Sequence, residues 1–178
     1  RRQRQMCIRD RISVSRHPSK KKPTIIGVNL GTLGFLTEIT VEELYHTLED
    51  VLKEKVKVEE RFLLDAVVIR DKKEISRFHS VNDIVVSKEA LARIFSIEMV
   101  IDKKFAAQVR GDGMIIATPG GSTAYSLAAG GSIVHPEVKA LLVTPIAPHS
   151  LTSRPLVIPG ESTLNLKLSS LGTGEHDK

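Results

Sequence analysis

Residues 94 to 131 read IFSIEMVIDKKFAAQVRGDGMIIATPGGSTAYSLAAGG. Two apolar, partly alternating runs flank Asp102-Lys103-Lys104, a spacing that predicts a β-hairpin. A third run, MIIAT, stops at Pro119. Gly120 and Gly121 then form a turn, and the chain restarts through Ser122 and Thr123 as a small-residue helix over Ala124, Tyr125 and Ser126. Free N–H groups at the start of such a helix favour an anion, and bare glycine backbone lets a ligand come close. An ordinary turn with a Ser/Thr N-cap fits the same spacing equally well.

The strand signal continues on both sides. Upstream lie VKVEERFLLDAVVIR and FHSVNDIVVSK, with RDKK as a second hairpin turn. Downstream lie KALLVTPIAPH, RPLVIP and TLNLKLSS. The prolines of VTPIAPHSLTSRP predict a constrained crossing loop. Residues 55–178 therefore read as a β-rich, sandwich-like domain. Residues 12–54 differ. PTIIGVN reads as a short buried strand that ends in the glycine turn of Gly27, Gly31 and Gly34. Thr40 followed by Glu43 is a capping-box pair, and Leu44, Leu48, Val51 and Leu52 share one helical face. Strand, glycine turn and amphipathic helix predict the end of an α/β, Rossmann-like domain, so the class is α+β overall.

The chain has 178 residues, 41% of them hydrophobic, and a formal net charge of +5. That charge is uneven. Residues 1–11, RRQRQMCIRDR, carry +4 of it and the single cysteine, Cys7. They show neither helical nor strand periodicity and resemble translated adapter sequence, so they are read as non-native and left out of the fold; a basic native arm is the alternative. What remains is near neutral, which argues against nucleic acid and anionic membrane as partners. Absent tryptophan and few aromatics also argue against a stacking platform for single strands. No apolar run reaches the ~18–20 residues of a membrane span. Without Cys7 there is no thiol for disulfides or metals.

Several familiar motifs are missing. The cluster from Gly27 is G-x-x-x-G-x-x-G, neither the dinucleotide fingerprint nor a P-loop. Ala124 stands where a G-x-S-x-G elbow needs glycine. Histidines 17, 46, 79, 135, 149 and 176 form no i, i+4 pair, so no metal site is expected. Asn82-Asp83 before IVV and Asp112 before MIIAT have side chains able to bond ribose hydroxyls or an adenine amino group. Each is equally a turn former.

GVNLGTLGFLTEI, VNDIVVSK, RGDGMIIATPGGSTAYSLAAGG and VTPIAPHSLTSRPLVIP occur in this order, and together they closely resemble the bacterial NAD kinases over residues 12 to 168. The resemblance implies an N-terminal α/β domain, a β-sandwich-like second domain and NAD bound between them. It also implies ATP as phosphoryl donor, Mg²⁺, a homo-oligomer (dimer or tetramer) and a cytoplasmic location. By position, Asn82 and Asp83 match the pair that contacts the NAD adenosine and ribose. Arg110 and Asp112 match residues lining the dinucleotide site, as does Arg93. Thr123, Ala124, Tyr125 and Ser126 match the stretch that packs on the dinucleotide.

Two departures stand out. Gly120 replaces the family's usual threonine (TPTGSTAY). The Gly-Gly-Asp-Gly loop, which supplies the catalytic base, is expected upstream of Ile12 and is not in this sequence, and the family's C-terminal Asp-Gly-Gln segment is expected beyond residue 178. The chain is therefore read as an internal fragment with little or no activity of its own. The alternatives are a lipid or sphingoid kinase of the same superfamily and a non-catalytic nucleotide-binding module.

Overall fold

The computed structural model describes residues 25–29, 39–88 and 95–170. Arg93, Cys7 with the rest of residues 1–11, and the turn glycines Gly31 and Gly34 lie outside the described residues. The chain divides into two units, Arg1–Glu60 and Arg61–Lys178.

In the first unit, the apolar run expected from PTIIGVN contributes β1 (Val28–Asn29), which pairs in parallel with β2 (Ile39–Thr40). Helix α1 (Leu44–Leu52) follows at once. Its start is the reciprocal box that the sequence predicts. The Thr40 N–H donates to Glu43 Oε2 at 2.8 Å, and the Glu43 N–H donates to Thr40 Oγ1 at 3.4 Å. The backbone bond from Thr40 is the main reason the Glu43 carboxyl lies below its ordinary range, with the Thr40 hydroxyl second. On the apolar face Leu44 and Val51 are half-buried, whereas Leu48 and Leu52 are exposed.

The second unit is antiparallel throughout. β3 (Leu64–Arg70) and β4 (Lys73–Ser80) form one hairpin, and β6 (Phe95–Ile101) and β7 (Lys104–Gly111) form another. Both turns have two central residues at positive φ: Asp71 and Lys72, then Asp102 and Lys103. Such mirror-image turns match the right-handed strand twist, and aspartate tolerates their first position. The expected RDKK and DKK turns are therefore both present.

A four-stranded sheet runs in the order β10 (Leu156–Pro159), β9 (Ala140–Ile146), β8 (Gly113–Ala117), β5 (Asp83–Ser87). A three-stranded sheet runs β11 (Leu164–Ser170), β6, β7. Ile97, Met99 and Val109 from the second sheet pack with Met114, Ile116, Leu141 and Val143 from the first, and Leu64 joins them. The expected sandwich is thus formed by alternate residues from two inner faces.

β8 explains why MIIA shows no alternation. Met114 and Ile116 enter the sandwich, while Ile115 and Ala117 lie with Leu142 in a second cluster on the outer face, packed by Ala129, Val134 and Ile146. A strand covered on both sides reads as continuous apolar sequence. Pro145 sits within β9, opposite Met114. The β10 pairing with β9 stops at Val143, so on that side no ladder bond is lost to the missing N–H.

The helix after the glycines differs from expectation. Gly120–Thr123 is a turn of 3₁₀-helix, and the α-helix α2 is only Tyr125–Ala128, with no side-chain cap. Ser122 does not cap it. Its hydroxyl instead bridges the backbone of Val134, donating to the carbonyl and accepting from the N–H, each at 3.2 Å. The residue that serves the turn is Thr118, whose Oγ1 accepts the Gly121 N–H at 3.0 Å. Threonine at the end of a buried strand has its hydroxyl already in place, whereas Ser122 is pulled inward by the segment it must tie down.

Candidate functional site

Pairing register decides where the expected site residues sit. Asp83 is opposite Ala117 and Ser87 is opposite Gly113, so β8 carries one group of them at each end. Those ends are roughly 14 Å apart at the antiparallel rise per residue.

At the Ala117 end, Asn82 and the glycine turn are interlocked. The Asn82 carbonyl accepts the Thr118 N–H at 2.8 Å. The Thr118 hydroxyl donates to the Val81 carbonyl at 2.5 Å and accepts from Gly121. A Cβ on Gly121 would lie 2.1 Å from the Asn82 carbonyl oxygen. Turn and strand entry therefore touch backbone to backbone, the close approach that glycine permits. This contact ties the Asn82 backbone to the turn that leads into Thr123, Ala124 and Tyr125. Thr123 and Tyr125 are exposed and Ala124 is half-buried, which leaves them as a surface a ligand can reach.

Ser126 is different. It is fully buried, and its Oγ lies 2.8 Å from Thr144 Oγ1 on β9. Its hydroxyl is committed to the core, so Ser126 anchors α2 and the exposed Thr123–Tyr125 stretch before it.

Gly120 has room to spare. Nothing there demands positive φ, and an added Cβ would meet only Thr118 Oγ1 at 3.6 Å and the Val81 carbonyl at 3.9 Å. Gly120→Ala is expected to raise unfolding stability by about 0.4–1 kcal/mol, because it removes freedom from the unfolded chain at no folded-state cost. Urea denaturation checks this; a lower midpoint would mean that the turn needs glycine's flexibility.

At the Gly113 end lie Arg110 and Asp112, together with residues that the sequence did not single out. Asp112 Oδ1 is 2.6 Å from Lys88 Nζ, and the Lys88 N–H donates to the Asp112 carbonyl at 3.1 Å. The Asp112 N–H donates to the Ile146 carbonyl, and the His149 N–H donates to that of Arg110. Between these two bonds Ala147 is held at φ +43°, an uncommon conformation for a residue with a Cβ. The nearby prolines, Pro145 and Pro148, were the one sign in the sequence that this segment is constrained. Lys88 gave no such sign, since a lysine after a strand is ordinary.

Among the described residues no group of three or more His, Cys, Asp or Glu could hold a metal ion, and no helix is long and apolar enough to cross a membrane. The candidate site combines hydroxyls, an amide and backbone groups with the charged side chains of Asp83, Lys88, Arg110 and Asp112. Its groups can bond a polar, hydroxyl-rich ligand.

Comparison with known proteins adds to this geometry. Residues 81–175 match the ATP-NAD kinase C-terminal domain and residues 11–56 match the ATP-NAD kinase N-terminal domain. The chain is 49% identical over 159 residues to an NAD kinase of Trichlorobacter lovleyi, covering 89% of this chain and 56% of the relative. It is 46% identical over 160 residues to one of Geotalea daltonii, covering 90% and 56%. The chain thus spans little more than half the length of these relatives. Among solved structures it is similar to yeast NADH kinase complexed with NADH (TM-score 0.77, 37% identity, 86% of this chain and 43% of that one). It is also similar to an Archaeoglobus fulgidus NAD kinase in complex with ATP (TM-score 0.68, 26% identity, 90% and 64%).

Proposed function

The chain belongs to the ATP-NAD kinase family, and from that premise we propose that the whole protein transfers the γ-phosphate of ATP to the 2′-hydroxyl of the NAD adenosine ribose, giving NADP. The observation that carries this reading is the interlock of Asn82 with Gly121. It packs the backbone of Asn82, first of the Asn82-Asp83 pair, against the glycine turn that leads into Thr123, Ala124 and Tyr125, and the adenosine ribose is assigned to that junction. Asn82 and Asp83 bind the adenosine end, and Thr123, Ala124 and Tyr125 form the wall beside it. Ser126 positions that wall from within. Arg110 and Asp112 take another part of the dinucleotide, and Arg93 is assigned to the same site by its place in the sequence.

The whole protein is proposed to act as a homo-oligomer, a dimer or tetramer. A ribose hydroxyl is a weak nucleophile and needs a carboxylate within hydrogen-bond reach to take its proton. We assign that base to no described residue. A divalent cation such as Mg²⁺ would arrive with ATP and offset charge on its phosphates. Among the described residues no group of three or more His, Cys, Asp or Glu could hold it. The reaction is placed in the cytoplasm.

The test is NADP formation by the whole protein from NAD, ATP and Mg²⁺, run beside a diacylglycerol-like acceptor and beside calorimetric titration with NAD. NADP formation supports the proposal, and lipid phosphorylation in its place overturns it. Binding of NAD without turnover would favour a non-catalytic module. Robust turnover by residues 1–178 alone would show that this segment contains its own base.

A further inference from the structure

Asp112 raises an electrostatic difficulty for the proposed function, on which this inference rests. A half-exposed carboxylate facing a ligand with a negatively charged diphosphate bridge would repel it. The structure supplies the remedy in Lys88, whose Nζ lies 2.6 Å from Asp112 Oδ1; the two side chains are 27% and 44% exposed. We propose that Lys88 is a positioning residue for dinucleotide binding: it fixes the Asp112 carboxylate so that the other oxygen faces ligand donors, and it cancels the charge that would repel the diphosphate.

The geometry favours this role over an incidental surface pair. Lys88 directly follows β5, and its own N–H donates to the Asp112 carbonyl at 3.1 Å. The backbone therefore already holds the two residues in register, and forming the side-chain contact orders little beyond the lysine stem. Exposed pairs that lack such preorganisation contribute little. A charge-assisted bond near 2.6 Å also fixes the plane of a carboxylate, which otherwise rotates freely. With one oxygen on Lys88, Asp112 can accept from ribose hydroxyls or from a carboxamide N–H through the other. Arg110 lies two residues away, so Lys88, Arg110 and Asp112 together carry one net positive charge. Without Lys88 that margin would be neutral and its carboxylate unpaired.

The test compares wild-type whole protein with Lys88→Met, Lys88→Arg, Asp112→Asn and the double variant Lys88→Met/Asp112→Asn, using steady-state kinetics and NAD titration. Lys88→Met is expected to raise KM for NAD about tenfold while kcat falls less than about threefold, the pattern of lost binding shared by ground and transition states. Lys88→Arg should recover most of the affinity. On the Asp112→Asn background, Lys88→Met should add little, because the lysine acts through that carboxylate. The KM of Lys88→Met should also depend less on salt than that of wild type.

Unchanged or lowered KM in Lys88→Met overturns the inference and leaves the kinase reading intact. A fall in melting temperature with unchanged affinity also overturns it, marking the pair as a strut. Wild type that neither binds nor phosphorylates NAD overturns both.

Discussion

Gly121→Ala is expected to destabilise the second unit by at least about 3 kcal/mol, at or beyond the upper end of ordinary overpacking. It is also expected to weaken NAD binding more than tenfold. The new Cβ would lie 2.1, 2.5 and 2.7 Å from the carbonyl oxygen, carbonyl carbon and Cα of Asn82. All three are backbone atoms, so no side chain can rotate away. Asn82 must move as a unit, and its carbonyl then leaves the Thr118 N–H. The binding loss follows because Asn82 and Asp83 are the residues displaced. Thermal unfolding and NAD titration, run beside Gly120→Ala, make the comparison internal: adjacent glycines and the same substitution should give effects of opposite sign. A Gly121→Ala protein with wild-type melting temperature and affinity would remove the interlock from the account of the site.

Thr118→Val should cost about 3 kcal/mol, as two backbone groups each lose a buried partner worth roughly 1–3 kcal/mol. The substitution keeps shape and volume but leaves the Val81 carbonyl and the Gly121 N–H without the hydroxyl that serves both. Thr118 is 1% exposed, so water does not readily replace it. At roughly 3 °C per kcal/mol for a chain of this size, the melting temperature should fall by about 10 °C. Thr118→Ser retains the hydroxyl and should cost about 1 kcal/mol, the value of one buried methyl with its small cavity. Equal losses for the two variants would mean that packing, and not the bond pair, matters at this position.

Much of the architecture was legible in the sequence because its causes are local. The capping box at Thr40 and Glu43 and the two Asp-Lys turns depend on neighbours within a few residues, and each formed as expected. The β-rich character of the second unit also follows from local pattern and β-branching. The helix after the glycines was less legible. The sequence offers Ser122 and Thr123 as caps, yet Ser122 bonds Val134 and the turn is served by Thr118, a choice set by which hydroxyl the sandwich brings into reach.

The four ordered motifs in the sequence determined the family, since each is a short stretch read without knowledge of its neighbours in space. Only the tertiary structure decided how their residues divide. Antiparallel register places Asn82 and Asp83 at one end of β8 and Asp112 at the other, and the fold buries Ser126 with its hydroxyl on Thr144. Lys88 became visible only when Asp112, far along the chain, was folded against it. The physical reason is the same each time: a motif records which groups are present, whereas strand pairing and desolvation determine which of them remain free to meet a ligand.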